Sequence, residues 1–226
     1  MQEKMRWAVL SLGCFSRNRY WGERDDSSYR APLCTSTFVE IDNRRLVIDP
    51  PLYGPAMTAM LYNRTGLKPE MIDYVYITHY HSDHYMGLGC FPNARLFAAP
   101  GDWDHVKDIL LSSGDKENLR EAFPNGNELA ERLLPAEKGF MNGISLIELP
   151  GHTLGLAGIQ FDAPEGRVVA AGDAVMTEDF FSGRLGYYNS RDFDLSKKSM
   201  DILAGAADII IPGHSNYFLS AAYDKA

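Results

Sequence analysis

Three imidazoles and a carboxylate fall within six positions of the stretch Ile77-Thr78-His79-Tyr80-His81-Ser82-Asp83-His84, in the pattern His-x-His-x-Asp-His. Neutral imidazole nitrogen and carboxylate oxygen are donors suited to Zn²⁺, Mn²⁺ or Fe²⁺, so the spacing predicts a metal site. The run in front of it, Asp73 to Thr78, is aromatic and β-branched and predicts a buried strand. The cluster then sits where a strand ends and the chain turns. Side chains placed there are held by a rigid scaffold yet stay open to substrate.

Three later sites share one grammar of apolar strand, glycine turn and ligand-type side chain. They are Leu149-Pro150-Gly151-His152-Thr153-Leu154-Gly155, Ala170-Ala171-Gly172-Asp173 and Ile210-Ile211-Pro212-Gly213-His214. Glycine lets the backbone turn sharply and come close to a bound group. Any one of these alone reads better as a structural His or Asp. Together they leave only His105 of the six histidines unaccounted for, and its helical surroundings predict a surface residue.

The elements that carry these residues can be read in order. Strands are predicted at 7–13, at 35–41 and 44–48 as a hairpin about Asp42-Asn43, and at 73–78 and 95–99. Later strands are predicted at 144–149, 157–161, 167–171 and 208–211. Helices are predicted at 56–63, from Ser82 or Asp83 onward, at 102–111 and at 195–204. Residues 112–128, polar and broken by Gly114, Pro124 and Gly126, predict a loop with at most one helical turn. Strands followed by helices in both halves predict two sheets packed face to face with helices outside. No repeat, low-complexity segment or linker interrupts the chain, so residues 1–226 are expected to form a single domain. The segment 16–30 is long for a loop and mixes Arg17, Arg19, Arg24 and Arg30 with Tyr20, Trp21 and Tyr29. A solvated loop with snorkelling arginines is the plainer reading; a lip over the metals is the sharper one.

Composition narrows the class. Of 226 residues 45% are hydrophobic, ordinary for a packed core, and the net charge of −8 gives no basic field to draw a polyanion. A small-molecule substrate is therefore expected rather than nucleic acid; a homo-oligomer is compatible with the sequence. No apolar run approaches the roughly 18 residues that span a membrane, and Met1 to Leu12 lacks the long apolar stretch of a secretory leader. A cytoplasmic protein without a membrane partner is the expectation. Cys14, Cys34 and Cys90 are odd in number and form no C-x-x-C, which predicts buried free thiols rather than disulfides or a cysteine-zinc site.

The ordered set His79-x-His81-x-Asp83-His84, His152, Asp173 and His214 resembles the metallo-β-lactamase superfamily over about residues 35–216. The resemblance implies an α/β fold, a four-layer αββα sandwich of two mixed β-sheets flanked by helices. It implies a dinuclear metal centre with His79, His81 and His152 on the first ion, Asp83, His84 and His214 on the second, and Asp173 bridging. Two divalent ions are expected, Zn²⁺ foremost and Mn²⁺ or Fe²⁺ as alternates. It further implies a hydrolase in which a metal-bridging hydroxide, formed because the paired charges lower the pKa of water to roughly 7, attacks a carbonyl carbon or a phosphorus, with Asp83 as catalytic proton carrier.

Within that family Asp173 and the absent leader weigh against true β-lactamases. Length weighs against nucleases with a cap domain, and nothing resembles the glycine-rich arm of tRNA-processing members or the flavodoxin domain of the diiron reductases. The turn at 151–155 is similar to that of thioester and lactone hydrolases. Leu156 stands where many of those have His, and no C-terminal helical domain follows, so glyoxalase II itself is not expected. The expectation is an ester, lactone or thioester hydrolase. The alternatives are a phosphodiester hydrolase or nuclease of the same fold and a mononuclear-iron persulfide dioxygenase using His79, His152 and Asp173. Tyr187 and Tyr188, in a Gly-rich loop, could donate to an oxyanion, although ring packing is the plainer reading. Ser215 is a further substrate-side candidate.

Overall fold

The computed structural model describes residues 5–220; residues 1–4, part of the stretch read for a leader, lie outside them. The chain opens with β1 (Met5–Ser11), β2 (Ser36–Ile41) and β3 (Arg44–Ile48), antiparallel neighbours in that order. Asp42 and Asn43 join β2 to β3 with φ of 50° and 63°, the left-handed pair that a two-residue hairpin turn requires. Next come α1 (Gly54–Thr65), β4 (Tyr74–Ile77), α2 (Ser82–Tyr85), β5 (Arg95–Ala98), α3 (Trp103–Leu111), α4 (Glu117–Arg120), α5 (Gly126–Arg132) and β6 (Leu133–Pro135). Strands β3 to β6 pair in parallel and complete a six-stranded mixed sheet.

The second sheet is built from β7 (Ile144–Glu148), β8 (Ala157–Ala163), β9 (Gly166–Gly172), β10 (Ile209–Pro212) and β11 (Phe218–Leu219). Its order is β11-β10-β9-β8-β7, with β9 and β10 parallel. Two helices, α6 (Glu178–Ser182) and α7 (Phe193–Ala206), come between β9 and β10. Asp192 caps α7 by accepting from the Leu195 N–H at 2.9 Å.

Packing gives the layers. Val39, Ile41, Leu46, Ile48, Tyr76 and Phe97 of the first sheet meet Ile144, Ile159, Phe161, Val168, Ile209 and Ile211 of the second in one buried cluster between the sheets. A second cluster holds Met57, Leu61, Val106, Leu110 and Leu129 of the helices against Val47, Val75, Ile77 and Leu96. Met200 and Leu203 of α7 pack on Val169, Ala171 and Ile210. This is the mixed α/β sandwich expected, helices outside and sheets within. Among the described residues no helix is long and apolar enough to cross a membrane.

The region 112–128 departs from its predicted loop. It holds α4 and the start of α5, because Leu119, Phe123, Leu129 and Ala130 are buried in the helix-side core and their packing overrides Gly126 and Pro124.

Candidate metal centre

Four connections that follow strands meet at one edge of the sandwich. β4 ends at Ile77 and delivers His79 and His81, and the short α2 that follows presents Asp83 and His84. The β7–β8 connection carries His152, β9 ends at Gly172 before Asp173, and β10 ends at Pro212 before Gly213 and His214. His79, His84, His152, Asp173 and His214 are buried, while His81 and Asp83 are half-buried.

The side chains sort into two groups of converging donor atoms, His79, His81, His152 with Asp173, and Asp83, His84 with His214. In the first, His81 Nδ1 lies 3.1 Å from His79 Nε2 and 2.8 Å from His152 Nε2. Asp173 Oδ2 faces the same atoms, 3.2 Å from His152 Nε2 and 3.7 Å from His79 Nε2. In the second, Asp173 Oδ1 lies 3.1 Å from both His84 Nε2 and His214 Nε2, and Asp83 Oδ2 stands 3.6 Å from His214 Nε2 and 4.0 Å from His84 Nε2. Asp173 thus stands between the groups, Oδ1 facing the second and Oδ2 facing the first while also lying 3.3 Å from His214 Nε2.

Three of these atoms find no partner among the others. Asp83 Oδ2, His84 Nε2 and Asp173 Oδ1 are buried, yet none has a partner of hydrogen-bond geometry. Buried polar atoms are almost always paired, and a set left unpaired around one point fits a cation. Charge agrees. Burial, and then the neighbouring histidines, hold His79 well below the usual imidazole range and bring His81 to about 4, the neutral form a metal needs. Burial opposes the Asp173 charge, but His214, His84 and His152 outweigh it and keep the carboxyl ionised. At His84 and His214 burial also opposes charge. It is outweighed at His84 by Cys34 and the carboxylates of Asp173, Asp49 and Asp83, and at His214 by Asp173 and Asp83, so both are raised. The pocket favours positive charge where cations would sit.

The ring nitrogens behind the donors are fixed by partners distant in the chain. His84 Nδ1 donates to Asp49 Oδ2 at 2.9 Å. His79 Nδ1 reaches Thr78 Oγ1 at 3.1 Å, and that hydroxyl donates to the same Asp49 oxygen at 2.7 Å. The Thr78 N–H donates to Asp49 Oδ1 at 2.8 Å. His214 Nδ1 lies 3.0 Å from the carbonyls of Cys14 and Leu33. Asp49, buried and with φ of 50°, is one supporting residue not picked out from the sequence, where Asp49-Pro50-Pro51 reads as a strand stop. Its signal was part of the grammar of Asp173, an apolar strand ending in Asp, without the glycine. Asp102 was also missed: buried, it accepts from Thr153 Oγ1 at 2.6 Å and fastens the His152 turn.

Two glycines make room. A Cβ on Gly213 would stand 2.0 Å from Asp173 Oδ1, and one on Gly172, whose φ is +52°, would stand 2.5 Å from Thr78 Oγ1.

A cavity of about 180 Å³ opens on the donors, walled by Phe15, Ser16, Met176, Tyr187, Tyr188 and Asn189. Tyr187 is buried and its hydroxyl donates to the Arg17 carbonyl at 3.1 Å, while Tyr188 is exposed beneath the Arg17 guanidinium, 4.1 Å from its ring centre. Ser215 does not line this cavity; its carbonyl accepts from Thr35 Oγ1 at 2.8 Å. The segment 16–30 is only partly the solvated loop expected. Arg19 and Arg24 are exposed, but Arg30 donates to the Phe15 carbonyl at 2.9 Å and pairs with Glu23, so the segment is tied down beside the cavity. His105 is exposed and stacks on Tyr80, as its surface reading predicts. Of the three thiols only Cys34 is fully buried, where burial pushes it up to about 12; Cys14 and Cys90 are half-buried.

The metallo-β-lactamase superfamily model matches residues 30–214. A probable metallo-hydrolase of Mycobacterium tuberculosis is 25% identical over 154 residues, 62% of this chain and 49% of that protein. An N-acyl homoserine lactonase of a Bacillus species is 23% identical over 159 residues, 68% of this chain and 60% of that one. An exodeoxyribonuclease of Streptococcus pneumoniae is 41% identical over 94 residues, 40% of this chain and 35% of that one. The chain thus spans about half the length of the curated relatives it matches. Among solved structures, one described as a putative metallo-β-lactamase from Thermotoga maritima superposes with a TM-score of 0.69 at 19% identity, covering 95% of this chain and 99% of that one.

Proposed function

The chain belongs to the metallo-β-lactamase superfamily, and from that premise we propose that it is a dinuclear metallohydrolase acting on an ester, lactone or thioester of a small molecule. The observation that carries this reading is the place of Asp173 between the two groups, Oδ2 near His79 and His152 and Oδ1 near His84, with His214 within reach of both oxygens. In this reading Asp83 completes the second group and Asp173 bridges both. Two divalent cations held there, zinc foremost, would supply the charge that makes water acidic near neutral pH and polarises a substrate oxygen.

The chain's own residues do the rest. Asp83, half-buried at the cavity with Oδ2 unpartnered, accepts the nucleophile's proton and returns it to the leaving group. Tyr187 spends its proton on the Arg17 carbonyl, so Tyr188 is the donor left for a developing oxyanion. Phe15 and Met176 keep one wall of the cavity apolar, which strengthens every charge interaction inside. The lactonase relative supports the carbon-oxygen substrate class. The unpaired cysteines accord with a reducing compartment and support action in the cytoplasm.

A phosphodiester is the second reading, favoured by the 41% identity to a nuclease over 94 residues. The test is a hydrolysis panel on zinc-loaded protein, with a γ-lactone, a thioester, an alkyl ester and bis(4-nitrophenyl) phosphate. Turnover of the carbonyl substrates above the phosphodiester, abolished by chelation, is expected. Turnover of the phosphodiester alone would replace the first reading with the second.

A further inference from the structure

Beside the cavity that opens on the ligand cluster lies a second one, of about 220 Å³, lined by Arg19, Asp25, Phe180, Tyr187, Tyr188 and Phe193. The two share Tyr187 and Tyr188 as a common wall. Each alone is smaller than the roughly 300–1,000 Å³ of an ordinary ligand site, and joined over Tyr188 they reach that size.

The wall is built to stay in place on one side and to be crossed on the other. Tyr187 is 7% exposed, sits edge-on to Phe15 and Phe180, and has its hydroxyl fixed by Ser16 and the Arg17 carbonyl. Tyr188 is 42% exposed, packs edge-on against Tyr187 at 4.6 Å, and is held in orientation by the Arg17 guanidinium on its ring. Phe193, at the first turn of α7, is 52% exposed although it faces this recess. Aromatic rings left open around a small recess have unsatisfied stacking surface. At the rim Arg19 and Asp25 set a donor beside an acceptor, and among the described residues neither side chain has a hydrogen-bond or ion-pair partner.

We propose that this recess is the specificity pocket for a flat aryl or heteroaryl group attached to the bond cleaved in the neighbouring cavity. The ring of the substrate stacks between the exposed rings of Tyr188 and Phe193, above a floor formed by the buried Phe180, and its polar edge meets Arg19 and Asp25. The inference rests on the hydrolase reading above and names the substrate class for that site.

The test is direct binding to the zinc-loaded protein by calorimetry, with 1-naphthylacetate and decanoate as probes. Both carry one carboxylate for the metals, and they differ in the ring. The wild-type protein is expected to bind the aryl probe at least about tenfold tighter, a difference of about 1.4 kcal/mol. Phe193→Ala should erase that preference and leave decanoate unchanged, and Phe193→Tyr should restore it. Both substitutions are at an exposed position, where changes cost little stability. Equal affinity for the two probes in the wild type, or a preference that survives Phe193→Ala, overturns the proposal. Failure of every substrate in the hydrolysis panel would count against the hydrolase reading alone, because the binding preference is measured without turnover.

Discussion

The rings that face inward and the rings that face the mouth are held by different means. His79 and His84 share one anchor, Asp49, reached through Thr78 in one case and directly in the other, and His214 rests on two backbone carbonyls. His81, His152 and His214 all line the open cavity, but only His214 is anchored from behind, and His152 Nδ1 is buried without a hydrogen-bond partner. The inner rings are fixed in tautomer and angle before any ligand arrives, whereas the mouth-side rings are placed by their turns. A hydrogen bond behind a ligand ring raises its basicity and sets its direction, so the inner side should define the site and the mouth side should adapt to what enters.

Breaking the shared element should cost most. Asp173→Ala removes the one group that faces both clusters, and hydrolysis should fall by more than the roughly 10–100-fold typical of losing a partner behind a ligand; steady-state rates at saturating zinc measure it. Asp49→Ala tests the inner side alone. It should weaken metal binding by about 10–100-fold, and it leaves the buried Thr78 and His84 N–H groups unpaired, which costs about 1–3 kcal/mol each. Competition with a chelator and thermal melting read the two effects.

Gly213→Ala leaves every donor in place and crowds Asp173 Oδ1 instead. Overpacking of this kind costs about 1–3 kcal/mol, and metal affinity should fall less than in Asp49→Ala. Thr153→Val acts only on the mouth side, by cutting the bond from the His152 turn to Asp102. A loss of about 1–3 kcal/mol is expected in melting, with a smaller change in metal affinity than Asp49→Ala gives. If Thr153→Val instead weakened metal binding as much as Asp49→Ala, the contrast between inner and mouth sides would not stand. His105→Ala should change stability by no more than about 0.5 kcal/mol and leave metal content unchanged, as a surface ring outside both groups.

The strand-end residues were legible because each lies next to its own signal, an apolar run followed by a glycine turn. His152, Asp173 and His214 could be picked out on that ground, and so could the two sheets that carry them. Asp49 was not legible as a supporting residue, because Asp-Pro-Pro reads as a strand stop and its partner His84 lies 35 positions away. The same distance hid the Thr153–Asp102 link, which spans 51 positions. The α5 helix was obscured by the local Pro124 and Gly126, while the burial that forms it comes from core residues elsewhere. Tyr187 and Tyr188 looked equivalent in sequence, and only the fold separates a buried, fully bonded ring from an exposed one.

The central claim is that one carboxylate divides its oxygens between two cations. The most direct measurement is anomalous diffraction at the zinc edge on crystals of metal-loaded protein, paired with elemental analysis of the same sample. The account predicts two ions per chain, one against Asp173 Oδ2 with His79, His81 and His152, the other against Asp173 Oδ1 with Asp83, His84 and His214. A single ion per chain at saturating zinc, or an Asp173 carboxylate turned away from either ion, would contradict it.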